Sequence, residues 1–174
     1  IVGEDEEGWI LELEEFTFTM DTDKDREKSL AFARMLGYIL SDGSVYVNKP
    51  GTNQERVCCE ACFGTELDAR LFEDDMALID KVTSIRHRDR TGTMKGSSYT
   101  ISLSAKLSRC VASVPGVLIG KRALQKPTLP EFILDENCPL SIIREFLAGL
   151  FGGDGTAPSI RKVGRFAQIE FKWT

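Results

Sequence analysis

Two stretches decide how this chain is read: residues 145–157, EFLAGLFGGDGTA, and residues 33–45, ARMLGYILSDGSV. Each is an apolar run with a glycine in mid-face, Gly149 in one and Gly37 in the other. Each leaves on Asp-Gly, at Asp154 and at Asp42. The layout returns after 112 residues, so the chain contains an internal repeat. After Gly155 only 19 residues remain, whereas more than 90 separate Gly43 from the second helix. The second repeat is therefore expected to be cut short.

Working outward from these two helices, apolar periodicity and turn residues predict the remaining elements. A helix over about 25–41, capped by Asp21 or Thr22, presents Leu30, Ala33, Leu36, Gly37 and Leu40, and Gly43 ends it. Strands at 44–47 and 56–63 flank the turn NKPGTNQE. A helix from the Thr65/Asp68 capping pair to near Asp80 follows, with Leu67, Leu71, Leu78 and Ile79 on its apolar face and Ala69, Phe72 and Met76 beside them. Strands at 82–90 and 97–105, a helix over about 104–113, a helix from Pro139 and Ser141 through Gly152, and a strand at 166–173 complete the order. Residues 9–20 alternate as one strand. The first unit thus reads helix, two strands, helix, two strands, helix. Residues 1–24 are a flanking strand or linker, 25–140 the first repeat and 141–174 the start of the second.

Composition narrows the function. The 174 residues suffice for one hydrophobic core. No stretch approaches the length of a membrane span, so no membrane partner is expected. Beginning on Ile1 rather than Met, the chain is not expected to have the ends of a primary translation product. Five cysteines fit no disulfide framework and suit an intracellular, reducing setting, with nucleus, cytoplasm and organelle left open. A single histidine, His87, excludes centres built from several imidazoles. Cys59 and Cys62 have the spacing of half a zinc knuckle, but the reading preferred is thiols buried under a sheet.

The net charge of -5 conceals a strong segregation. Residues 1–80 carry 7 basic and 20 acidic side chains; residues 81–126 carry 10 basic and one acidic, Asp89. Such a distribution gives an acidic protein a face attractive to phosphates. Arg86, Arg88 and Arg90 alternate on one predicted strand face. Lys95, Lys106 and Arg109 are phosphate contacts or ordinary surface residues, and Arg161, Lys162 and Arg165 could serve the second, shortened sheet.

LAGLFGGDG (147–155) and MLGYILSDG (35–43) resemble the two motif copies of the LAGLIDADG (dodecapeptide) homing endonucleases. KPTLPEFI (126–133) and GTELDARLFEDDMALI (64–79) are similar to segments of the intein-encoded type. The resemblance covers most of residues 28–174. It implies an α+β fold of αββαββα repeats with a curved antiparallel sheet, the second repeat incomplete. It also implies site-specific, metal-dependent hydrolysis of both strands of a long asymmetric duplex in intein or intron homing. In that family two motif helices cross side by side. Gly37, Ala148, Gly149 and Gly152 would form the contact, and Asp42 and Asp154 would hold Mg²⁺ or another divalent cation at the scissile phosphates. Lys126 would support the chemistry, with Lys121 as second choice. Expected partners are double-stranded DNA, a separate C-terminal fragment completing the second repeat, and an intein splicing domain in a longer protein. These residues carry neither an initiating Cys or Ser nor a final His-Asn, so no self-splicing is expected of them. Two other classes stay open: a non-catalytic DNA- or RNA-binding module, and a degenerate structural remnant of such an enzyme.

Overall fold

A computed structural model describes residues 8–80, 84–90, 96–121, 124–126, 128–154, 159–163 and 166–170, with the backbone alone for 84–90, 96–97, 153–154 and the last two segments. The elements are β1 (Ile10–Leu13), β2 (Phe16–Thr19), α1 (Asp23–Asp42), β3 (Gly43–Asn48), β4 (Arg56–Phe63), α2 (Glu66–Ala77), β5 (Ser84–Arg90), β6 (Gly96–Ser102), α3 (Ala105–Ser113), α4 (Leu140–Asp154), β7 (Ser159–Val163) and β8 (Phe166–Glu170). One turn of 3-10 helix at Glu131–Leu134 precedes α4. The architecture is α+β with antiparallel sheets. From α1 to α3 the order is αββαββα.

The main sheet has four strands in the order β3-β4-β6-β5. Its two hairpins join through the antiparallel pair β4–β6, with Ala61 opposite Ile101. Val45, Cys59, Ala61, Phe63 and Ile101 are buried on one face. Ser44, Tyr46, Cys58, Glu60, Cys62, Thr100 and Ser102 alternate with them and are partly or fully exposed. The sheet therefore has one core face and one polar face, as period-2 patterning dictates. Cys59 is buried, and desolvation pushes its thiol far up. Cys62 is exposed, with Sγ 3.8 Å from the Thr100 hydroxyl. The expectation of thiols beneath the sheet thus holds for Cys59 and fails for Cys62, which alternation sends to the polar face.

Helix starts follow the local code. The Thr22 hydroxyl accepts from Asp25 N–H at 3.1 Å, and that of Thr65 from Asp68 N–H at 3.2 Å. Each satisfies an orphan amide, an effect of about 1 kcal/mol. Helix α1 is covered on most sides. Phe32, Ala33, Met35, Leu36, Gly37 and Ile39 are all buried, in one core shared with the sheet, α2, α3 and α4.

Residues 9–20 depart from the single strand expected. They form the hairpin β1–β2, with Leu13 opposite Phe16. The chain reverses at Glu14, whose φ is 52°, a left-handed value that no glycine or asparagine announces. Leu13, Phe16, Phe18 and Met20 of the hairpin lie in the same core as α1. Phe18 stacks on Phe32 with 4.1 Å between ring centroids, and Ser29 Oγ donates to Thr19 O at 2.7 Å.

The expectation for α2 holds for Ile79, which packs against the core, and is overturned for the three leucines. Ala69, Phe72 and Met76 face the core, whereas Leu67, Leu71 and Leu78 are exposed. Both sets satisfy helical spacing. The aromatic neighbours Tyr38 and Phe63, centroids 5.7 and 5.1 Å from Phe72, decide which set is buried. Strand β7 is a further addition to the expected order. No helix among the described residues is long and apolar enough to cross a membrane.

Candidate functional site: paired helix ends beside a polar sheet

Helices α1 and α4 touch through glycine. A Cβ built on Gly37 would collide with the Phe146 carbonyl oxygen and lie 2.7 Å from Leu150 N. One built on Gly149 would collide with the Arg34 carbonyl oxygen and lie 2.9 Å from Tyr38 N. The contact is reciprocal: Phe146 and Leu150 stand 112 residues beyond Arg34 and Tyr38, the same interval that separates Gly149 from Gly37. The sequence repeat is therefore also a local two-fold relation in space. Backbone meets backbone here, which only glycine permits.

Ala148 and Gly152, expected at this contact, lie off it. Ala148 is exposed, turned about 100° around the helix from Gly149. A Cβ on Gly152 would meet nothing within 4 Å.

Arg34 locks the arrangement and was not singled out from the sequence. Its Nε and Nη2 donate to the two carboxylate oxygens of Asp75 on α2, each at 2.7 Å, and Nη1 donates to Glu145 on α4. The hydrogen bonds to Asp75 and the charges of both carboxylates raise the guanidinium pKa despite partial burial. Arg34 is the one charge in the run 29–41, the signal that could have marked it. The Arg34–Glu145 pair also fixes direction. Both residues precede the crossing glycine of their helix, so α1 and α4 run the same way. Asp42 lies five residues beyond Gly37 and Asp154 five beyond Gly149. The two helices thus end on the same side, each about 7.5 Å past the crossing.

The helix exit at Asp42 is unusual in its electrostatics. Asp42 is exposed, the last residue of α1, and the last turn holds no basic residue. Helix α4 likewise ends on Asp154 with no basic residue in its last turn. An anion at the negative end of a helix is destabilising by roughly 0.3–1 kcal/mol. Nor is Asp42-Gly43 a left-handed turn pair. Gly43 has φ -99°, and β3 begins there directly. Glycine is needed because a Cβ would sit 2.7 Å from Ile39 Cα and 2.8 Å from Glu60 O. The burial of Tyr38 and the charge of Asp42 together push the Tyr38 hydroxyl up, and it donates to Cys62 O at 2.8 Å.

Lys121 comes close to this exit along β3. Gly120, at φ 117°, donates its N–H to Val45 O at 2.8 Å. A cleft of about 410 Å³ is lined by Lys121 together with Gly43, Ser44 and Tyr46. Lys126 is exposed and does not line that cleft. Lys106 has partners within the chain: Glu15 at 3.6 Å and the Phe16 ring at 4.7 Å. Arg109 likewise bonds Glu15, at 3.0 Å. Arg86, Arg88 and Arg90 occupy register positions on β5 opposite Thr100, Ser98 and Gly96, and Arg161 and Lys162 lie on β7. The side chains of these five, and Lys95 and Arg165 entirely, lie outside the described residues, as does the side chain of Asp154.

No family model matches the chain. Two curated proteins of Methanocaldococcus jannaschii contain similar stretches. The replication factor C small subunit is 32% identical over 139 residues, which are 79% of this chain and 7% of that protein. The DNA-directed RNA polymerase subunit Rpo1N is 25% identical over 158 residues, 84% of this chain and 11% of that protein. The chain thus spans about a tenth or less of the curated relatives it matches. Among solved structures, I-DmoI in complex with DNA and Mn aligns at 18% identity over 74% of this chain and 64% of its own, with TM-score 0.43. The homing endonuclease I-WcaI bound to its DNA recognition sequence aligns at 16% identity over 73% and 51%, with TM-score 0.45. At those scores the superposition is too loose to carry an argument, and the architecture stands on the chain's own elements.

Proposed function

We propose that the chain is the DNA-cutting module of a LAGLIDADG-type homing endonuclease, of the kind inserted into host proteins. The observation that carries this reading is the reciprocal glycine contact of α1 and α4, which ends two codirectional helices on Asp42 and Asp154. A replication factor and an RNA polymerase subunit have different tasks. A stretch common to both, making up 7% and 11% of them, is what a transferable insert looks like. This supports the intein-type reading.

The donor set fits a hard divalent cation. Mg²⁺ takes oxygen ligands, keeps several waters, and uses one or two carboxylates together with phosphate oxygens. Among the described residues no three His, Cys, Asp or Glu side chains converge. Asp42 and Asp154, at the paired helix ends, would be the protein's share of the ligands, and DNA and water the rest. When bound, the cation supplies Lewis-acid stabilisation of the phosphate and an activated water. Lys121, beside the α1 exit, would offset phosphate charge, with Lys126 as the alternative. The polar face of the main sheet would lie against the duplex. Arg86, Arg88, Arg90 and Lys95, and Arg161, Lys162 and Arg165 at the second sheet, would meet phosphates or base edges.

The test is cleavage of a randomised duplex library with Mg²⁺ or Mn²⁺, the ends being sequenced. The reading expects cuts clustered at one long site, lost with chelator and lost in Asp42→Asn or Asp154→Asn. Tight duplex binding indifferent to metal and to both substitutions, without cleavage, would instead make the chain a binding module. Salt must be varied, since non-specific attraction to phosphate falls steeply with it.

A further inference from the structure

Helix α2 carries apolar stripes on opposite sides. Ala69, Phe72 and Met76 are buried, while Leu67, Leu71 and Leu78 are 67%, 57% and 47% exposed. At 100° per residue the three leucines fall within about 40° of one another, along roughly 16 Å. Single exposed leucines are ordinary, whereas these three form one continuous apolar strip. Leu71 also opens onto a cleft of about 490 Å³ between α2 and α4. The rings of Phe63 and Phe72 close one side, and Gly152, which has open space where a Cβ would be, leaves room on the other. Asp68 and Asp74 line the same cleft, and its arginine, Arg34, is already taken by Asp75 and Glu145. From Glu66 to Asp80 there are six acidic residues against Arg70 alone.

We propose that this stripe and cleft dock a basic amphipathic helix of a separate protein, one large apolar side chain entering the cleft and Lys or Arg flanking it. A row straight along a helix suits a helical partner laid in a groove. The acidic rim repels nucleic acid and anionic lipid alike. A second copy in a two-fold contact would set this rim against itself, like charge on like charge. A basic partner removes that conflict. The inference does not depend on the nuclease reading.

The probe is a synthetic Leu/Lys amphipathic peptide of about 14 residues, long enough to cover the row, titrated into the full chain and followed by NMR. Localised shifts at Leu71, Phe72 and Ala148 are expected. A Leu/Glu peptide of the same pattern should bind at least about tenfold more weakly. Leu67→Ser with Leu71→Ser should weaken the Leu/Lys peptide about tenfold or more, and Asp74→Asn about threefold at low salt. These side chains are exposed, so the variants should fold, which their circular dichroism checks. Equal binding of both peptides, or unchanged binding to the double serine variant, overturns the proposal. Self-association that the serines abolish, without peptide binding, would make the face a contact between copies and overturn it too.

Discussion

Gly149→Ala should cost far more than the loss of one hydrogen. The added methyl would overlap the Arg34 carbonyl oxygen and lie 2.9 Å from Tyr38 N, both backbone atoms that cannot rotate away. The helices must separate by an ångström or more, loosening Leu36 and Phe146 in the shared core. Overpacking of this kind costs typically 1–3 kcal/mol, and backbone neighbours put it near the top, about 3 kcal/mol. Gly37→Ala meets the two-fold-related atoms, Phe146 O and Leu150 N, and should cost about the same. One separation relieves both clashes, so the double variant should cost about 4 kcal/mol rather than the sum. Gly152→Ala is the internal control. With nothing within 4 Å, it should stabilise by about 0.5 kcal/mol through helix propensity alone. Urea unfolding followed by circular dichroism, with unchanged m-values, measures all four. A neutral or stabilising Gly149→Ala would refute the close backbone approach, and with it the relation between the two helices.

Arg34→Lys keeps the charge but loses the fork that holds Asp75 at two points. About 1 kcal/mol should be lost, and Arg34→Met should lose about 2 kcal/mol, discounted for the partial exposure of the side chain. Thermal unfolding at low and high salt checks both; equal stability of all three proteins would remove the clamp from the account. Burial pushes the Cys110 thiol up to about 12 and Cys138 to about 11. Above the ordinary value of 9 the unfolded chain releases these protons and the folded chain does not. Their stabilisation is therefore complete below pH 9 and declines from there towards pH 11–12. Unfolding free energies flat from pH 8 to 11 in a Cys110→Ala comparison would contradict this. Cys62 should be alkylated in the native state well before Cys59 and Cys110, as peptide mapping after brief iodoacetamide treatment would show.

Features set by neighbouring residues were legible in the sequence. Thr22 and Thr65 announce helix starts, the strand pairs follow from alternation, and the close approach at Gly37 and Gly149 is what the resemblance of the two motifs implies. Features set by tertiary choice were not. Helix α2 offers two stripes with valid spacing, and only the rings of Tyr38 and Phe63 select Phe72 over Leu71. The reversal at Glu14 uses a conformation its residue type does not suggest. Arg34 finds its partners 41 and 111 residues away. Lys106 and Arg109 meet Glu15 from across the chain, since the sequence alone does not show that the hairpin reaches α3.

The most direct test of the central claim is Mn²⁺ binding to the chain with duplex DNA present, read by the loss of the free-ion EPR signal. An anion at the negative end of each helix gains from a cation there. Retention of Mn²⁺ by the native chain is expected, and its loss in Asp42→Asn and in Asp154→Asn. Mn²⁺ held equally well by both variants would contradict it and detach the paired helix ends from any metal chemistry.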